Sequence, residues 1–305
     1  MAPINNTVMS HTSASRSSLL ENGQEQLHRI VNLDQYPLYE EEAFASLIQE
    51  ARQELHNNSV ITLPNFLTQS ALRSLVEEAL ENKHKAYYTD AKSKHNVYLT
   101  QNDTSKPSTH IYNRQIVSSK GCITTDQIPP NSLLKSLFYN EIFQQILQNV
   151  LQVKTLYPYQ DPLSSINVHY ASEGQELGWH FDNSAFAITL LLQKPDVGGG
   201  VFEYVPNIRD SGGHSDDMES KMGFEKVEGV VSGRIIPKRL VMNPGTLVLF
   251  HGRDSLHRVT KVVGDITRML VVFAYNEREG IELSEEARMT FFGRTGVSDE
   301  ADEIQ

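Results

Sequence analysis

From about Leu156 to Tyr275 the chain is cut into short runs rich in Val, Ile, Phe, Leu and Tyr, with Gly, Pro, Asn and Asp between them. Ser165 to Tyr170, Ala185 to Gln193, Val201 to Val205, Gly245 to Phe250 and Arg268 to Tyr275 are each of strand length. A βαβ fold would need a helical pattern between successive strands, and none separates these runs. The spacing therefore points to an all-β sandwich or barrel in this half of the chain.

The preceding half has a different period. Phe44, Leu47, Ile48, Ala51 and Leu55 share one helical face. A strand-like run, Val60 to Leu63, stops at Pro64, and Thr68 then suits the N-cap of a helix bearing Leu72, Leu75, Val76 and Leu80. Two further helices are expected over Ser132 to Phe138 and Glu141 to Leu151, with Asn140 as the cap between them. Tyr87 to Ile123 is polar and yields no assignment. These helices have no core of their own, so they should buttress the outside of the β structure. The expected organisation is a disordered or poorly structured segment over 1–38 and a single domain over 39–305. That domain has a helical part at about 40–155 and a β core at about 156–295. Asn207 to Gly233 contains Asp-Ser-Gly-Gly-His-Ser-Asp-Asp and suggests an exposed insertion or lid.

Composition excludes some partners. The net charge of −11 gives no cationic surface for a sequence-independent grip on nucleic acid. With Cys122 as the only cysteine, an internal disulfide or a Cys-based zinc site cannot form, which favours a reducing, cytoplasmic setting. The longest apolar runs fall short of the roughly 20 residues that span a bilayer, so no membrane association is expected. A small-molecule substrate remains, and the sequence is silent on oligomeric state.

The chemistry lies in Trp179-His180-Phe181-Asp182. On an extended backbone, residues i and i+2 face the same side, so His180 and Asp182 can present a nitrogen and an oxygen to one metal ion. His257 is the best third ligand, and two histidines with one carboxylate form the facial triad of iron(II) oxygenases. A bare His-x-acid match is cheap, since 11 histidines and 38 acids in 305 positions yield about one by chance. His214-Ser215-Asp216 is such a decoy, set among Gly, Ser and Asp with no strand to fix it. A lone His is more often a satisfied core or surface residue, and Asp182 before Asn183 and Ser184 could be a turn residue. The companions argue otherwise: a strand context, a downstream His before another strand, and Arg268 eleven residues beyond it. Arg268 could hold the distal carboxylate of a metal-chelating 2-oxo acid bidentately, although a surface arginine at a strand start is the plainer alternative. His169 and His251 lack a carboxylate at matching spacing and are taken as structural.

With these residues in place, the chain resembles the iron(II)/2-oxoglutarate dioxygenase superfamily, and within it the group of free-amino-acid halogenases and their hydroxylase relatives. The likeness runs from about Val60 to Arg294. It lies in Leu63-Pro-Asn-Phe66, Asp161-Pro-Leu163, Leu177-Gly-Trp-His-Phe-Asp-Asn183, Gly199-Gly-Val-Phe-Glu-Tyr-Val-Pro206, Gly252-Arg253, Ser255-Leu-His-Arg-Val259 and Phe292-Gly-Arg294. The resemblance implies a double-stranded β-helix, or jelly roll, mainly β with a helical buttress. It implies His180, Asp182 and His257 as ligands of Fe(2+), and Arg268 as the anchor for 2-oxoglutarate. Dioxygen is then the second co-substrate, with ascorbate a candidate stimulant. The halogenases of the group have a small residue where this chain has Asp182, so the resemblance implies hydroxylation, desaturation or ring closure in a biosynthetic pathway. By the same resemblance the substrate is a free amino acid or a small amine-bearing metabolite. Asn183, Arg114 and Glu203 are candidate substrate contacts by position. A cupin-like metal-binding module without oxygenase activity, and a protein hydroxylase of the same superfamily, remain the alternatives.

Overall fold

The computed structural model describes residues 24–89, 94–209 and 218–297. Its centre is two antiparallel sheets. The larger has seven strands in the order β1 (Val60–Leu63), β12 (Leu247–Phe250), β9 (Ala187–Gln193), β14 (Arg268–Phe273), β7 (Ile166–Ala171), β5 (Gly121–Ile123) and β2 (Tyr87–Tyr88). The smaller has four, β11 (Lys238–Leu240), β10 (Phe202–Val205), β13 (Leu256–Val259) and β8 (Leu177–His180). Phe250 of the large sheet meets Phe202, Tyr204 and His257 of the small one edge-on, so the sheets face each other as a jelly-roll core. Two-stranded pairs, β3 (Lys94–His95) with β4 (Ile116–Val117) and β6 (Tyr157–Pro158) with β15 (Tyr275–Asn276), complete the strands of the described residues.

The period-2 pattern decides what each face does. Ile166, Val168 and Tyr170 of β7, Met269, Val271 and Phe273 of β14, and Ile188, Leu190 and Leu192 of β9 all belong to one apolar cluster with the helices. The alternate positions, Asn167, His169 and Ala171 on β7 and Arg268, Leu270 and Val272 on β14, are left for the space between the sheets.

The helices cover the outer face of the large sheet. They are α1 (residues 24–30), α2 (Glu41–Asn58), α3 (Gln69–Asn82), α4 (Leu133–Phe138) and α5 (Glu141–Leu151). Ile48, Ala51 and Leu55 of α2 are buried, with Phe44 and Leu47 packed beside them, as the helical spacing predicts. Thr68 caps α3 by accepting from Ala71 N at 3.1 Å, and Asn140 caps α5 by accepting from Ile142 N and Phe143 N. Near the C-terminus α7 (Glu285–Phe292) is capped by Ser284 and sets Phe292 against Cys122 and Leu163.

Three expectations change. Residues 24–38, assigned to a poorly structured lead, include helix α1 and bury Leu27, Ile30, Val31, Tyr36 and Leu38 in the main cluster. Their apolar residues are too few to announce themselves without the surface they cover; residues 1–23 lie outside the described residues. The Asn207 to Gly233 segment is not simply an exposed insertion, because it contains helix α6 (Met218–Val231). Val227 and Val230 of α6 are buried with Trp179, Phe181 and Leu256, and Phe224 packs against them. Residues 210–217, including the His214 decoy, lie outside the described residues. Finally, the unassigned Tyr87 to Ile123 stretch supplies β2, β3, β4 and β5, strands of two or three residues that are too short for any periodicity to show.

Candidate metal centre

Strands β8 and β13 pair antiparallel with His180 directly opposite His257, which brings the ring centroids to 4.1 Å. Asp182 stands just past the end of β8, where loop contacts replace strand pairing. Phe181 N donates to Val97 O at 2.8 Å and Asp182 N donates to Gly252 O at 3.0 Å. The carboxylate is thereby turned back between the rings, with Oδ1 3.5 Å from Nε2 of each histidine. These three side chains can offer one ligand atom each to a common ion, all within 4.8 Å of one another.

Hydrogen bonding selects the donor atoms. His180 Nδ1 lies 2.8 Å from Gly178 O, and His257 Nδ1 lies 2.9 Å from Ser255 O. A carbonyl only accepts, so both Nδ1 atoms carry the proton and both Nε2 lone pairs point at the carboxylate side. Burial and the neighbouring His257 push the His180 pKa down to about 4, which keeps the imidazole neutral and ready to ligate. Two neutral nitrogens and one anionic oxygen, with open positions opposite, form a donor set suited to a divalent first-row metal. The residues fit the iron that the sequence implied.

Gly252 leaves room for the carboxylate, and two arginines hold the backbone around it. A methyl built on Gly252 would lie 2.7 Å from the Asp182 carboxyl carbon and closer still to Oδ2, so only glycine leaves that space. Arg209 Nη1 donates to Asp182 O and Arg253 O, each at 3.2 Å, while its guanidinium lies over the Phe181 and Tyr98 rings. Arg253 donates to Asn183 O through Nε and Nη2. None of these three residues was assigned a positioning role from sequence; Gly252-Arg253 had stood only as a motif of the resemblance.

Arg268 is 5% exposed at the start of β14. Its Nε donates to Gly200 O at 3.1 Å, and Gly200 sits so close, at φ +58°, that a Cβ there would be 3.0 Å from Arg268 Cδ. Nη2 is buried without a partner. Burial lowers its pKa to about 10, so the group stays cationic at neutral pH. A buried guanidinium on the inner face of the sheet, with Nη2 unpartnered, could take an anion and does not match the surface alternative.

The expected substrate contacts separate. Asn183 is exposed next to the metal carboxylate and keeps its side chain available. Glu203 does not: it is 2% exposed, and its two oxygens take Arg239 Nε at 3.0 Å and Arg258 Nε at 2.8 Å. Strand alternation turns it away from His257, its neighbour through Tyr204, and into a structural ion pair. Arg114 pairs with Glu228 of α6 at 3.2 Å rather than with the metal cluster. His251 donates its backbone N to Ser59 O.

A family model described as Halogenase D matches residues 44–291. No curated protein matches the chain by sequence. Among solved structures, the chain is similar to the non-heme alpha ketoglutarate dependent epimerase SnoN from nogalamycin biosynthesis, at 10% identity and a TM-score of 0.50, over 76% of this chain and 83% of that one. It also resembles the carbocyclase SnoK from the same biosynthesis, at 15% identity and TM-score 0.48, over 82% and 93% of the two chains. A Pseudomonas putida prolyl-4-hydroxylase is similar at 10% identity and TM-score 0.45, over 74% and 97%. At such identities the likeness to SnoN speaks to a shared fold.

Proposed function

The chain belongs to the Halogenase D family, and from that premise we propose that it is an iron(II)- and 2-oxoglutarate-dependent oxygenase that hydroxylates an unactivated C–H bond of a small molecule. The observation that carries the reading is the cross-strand pair His180 and His257 with Asp182 Oδ1 3.5 Å from both Nε2 atoms. His180 and His257 would hold iron(II) through their Nε2 atoms and Asp182 through a carboxylate oxygen. Bound there, iron(II) with 2-oxoglutarate would supply the oxidising power to insert one oxygen atom of dioxygen into a C–H bond, with succinate and carbon dioxide as co-products.

The residues of the chain bind, orient and exclude water. Arg268 offers its free Nη2 to the distal carboxylate of 2-oxoglutarate. Phe202 and Phe250 pack against the His257 ring and keep that side of the centre dry. Arg209 and Arg253 hold the backbone that carries Asp182.

Asp182 decides between the chemistries of the family. Its carboxylate fills the position that a halide would need, so hydroxylation is favoured over halogenation. A free amino acid or small amine-bearing metabolite is the substrate class that the family resemblance supports, with Asn183 the candidate contact. Among the described residues no helix is long and apolar enough to cross a membrane.

The test is succinate formation by anaerobically purified, iron(II)-loaded protein given 2-oxoglutarate, dioxygen and pooled amino acids, beside His180→Ala. Succinate that disappears in the variant supports the reading, and the amino acid that most raises turnover names the substrate. A wild-type protein that binds no iron, or one that binds it and leaves 2-oxoglutarate intact in every pool, overturns it.

A further inference from the structure

A further histidine stands against His180 without joining the cluster of ligand atoms. The His95 ring of β3 meets the His180 ring edge-on, with centroids 6.0 Å apart, and both of its nitrogens are engaged elsewhere. Nδ1 lies 2.9 Å from Asn96 O, and Nε2 lies 2.6 Å from the hydroxyl of Ser118, the residue just past β4. Ser118 is buried and bridges to Leu177 of β8, where its Oγ accepts from Gly178 N at 2.9 Å.

These contacts have a single direction. The Asn96 carbonyl only accepts, so His95 Nδ1 donates to it and Nε2 is left to accept the Ser118 hydroxyl proton. The hydroxyl oxygen is then free to take the Gly178 N–H, and the Gly178 carbonyl takes the Nδ1 proton of His180. Gly178 lies where β4 and β8 touch, and a Cβ on it would collide with Ile116 Cγ2 and Val117 O.

Strand pairing alone does not set this carbonyl. His180 faces His257 but Leu177 faces Val259, so β8 takes three steps where β13 takes two. Such a bulge breaks the regular ladder at Gly178 and Trp179 and leaves the local backbone to be held by side chains. Ser118 is the side chain that reaches it, and His95 fixes the rotation of that hydroxyl. The next residues extend the same support to the carboxylate, because Val97 O accepts from Phe181 N, beside Asp182.

We propose that Ser118 and His95 are positioning residues of the metal centre. They hold Gly178 so that its carbonyl selects the Nδ1–H tautomer of His180 and leaves the Nε2 lone pair for iron(II). This deepens the reading of His180 as an iron ligand, yet the tautomer is a property of the metal-free chain.

Nitrogen-15 NMR of histidine-labelled, metal-free protein at neutral pH reports which ring nitrogen of His180 carries the proton, with His180→Gln assigning the signal. Wild type should show Nδ1–H alone. Ser118→Ala should populate both tautomers and lower iron(II) affinity by about 10- to 100-fold in anaerobic titration against a competing chelator, the range for a residue that orients a ligand. Two variants separate hydrogen bonding from ring packing. His95→Phe keeps a ring against His180 and loses the acceptor, so it should reproduce part of both changes. His95→Gln keeps an acceptor within reach of Ser118 and should restore tautomer and affinity toward wild type. Thermal melts identify any variant that fails to fold, and if Ser118→Ala does so the His95 pair carries the test. A folded Ser118→Ala in which either the tautomer or the iron affinity stays as in wild type overturns the proposal. So does a His95→Phe that matches wild type while His95→Gln loses iron. Failure of the oxygenase reading is visible separately, as wild-type protein that binds no iron, and the tautomer of the metal-free chain still decides the role of Ser118.

Discussion

Gly252→Ala should disable the metal centre while leaving the fold intact. The added methyl would sit 2.7 Å from the Asp182 carboxyl carbon and 3.0 Å from its Cβ. Carbon atoms in contact rest at about 3.5–4.0 Å, so the carboxyl group must retreat by roughly 1 Å. A ligand displaced that far no longer shares an ion with Nε2 of His180 and His257, and a supporting-residue change of this kind costs about 10- to 100-fold in metal affinity. Gly252 has no left-handed backbone angle, so alanine is conformationally acceptable there and the melting temperature should hold. The assay is anaerobic iron(II) titration against a competing chelator, with thermal melting of the metal-free protein in parallel. A double-mutant cycle sharpens it, because in an Asp182→Gly background the Gly252 methyl has neither carboxyl group nor Cβ to displace and should add no further loss. Wild-type iron affinity in folded Gly252→Ala would refute the argument that this glycine seats the carboxylate.

The remaining expectations concern residues away from the metal. Glu203→Gln should lower the urea midpoint, by about 1–3 kcal/mol in stability, because Arg239 and Arg258 lose a buried carboxylate; iron and substrate affinity should not change, and a substrate-affinity loss without destabilisation would contradict its structural assignment. Asp126 is half-buried beside Arg294; burial works against its charge, yet the Arg294 and Thr124 hydrogen bonds prevail and lower its pKa from 3.8. A depressed carboxyl stabilises the fold above the unfolded value and stops doing so as pH falls through the folded one, so wild type and Asp126→Asn should differ in urea midpoint at pH 6 and converge below 3.8. Burial pushes the Cys122 thiol up to about 11, so iodoacetamide at pH 8 should label it only in unfolded protein; rapid native labelling would refute its burial.

Periodicity gave the parts of this protein whose stability is local or whose faces are strongly patterned. Helices α2, α3, α4 and α5, with the Thr68 and Asn140 caps, follow from apolar spacing and side-chain acceptors a few residues apart. The long strands β7, β9 and β14 follow from apolar runs bounded by turn residues. Periodicity failed where burial is supplied by a distant partner. Residues 24–38 carry few apolar side chains and are ordered by the surface they cover. Helix α6 is amphipathic only against Trp179 and Phe181, which no local window contains.

The site divides in the same way. His180, Asp182, His257 and Arg268 could be singled out in the sequence because a metal and a dicarboxylate would demand particular atoms, and the structure brings the first three together and buries the fourth. Glu203 seemed equally placed, yet one step of strand alternation sends it into an ion pair with Arg258 and away from the centre. Gly252, Arg209 and Arg253 acquire their roles only through contacts across 70 residues for Gly252–Asp182, 27 for Arg209–Asp182 and 70 for Arg253–Asn183. Sequence thus determined which chemistry the chain can perform, because ligand atoms are a property of residue types. Tertiary structure decided which charges are paired and which are left free, because charge pairing in the interior depends on strand register and sheet order.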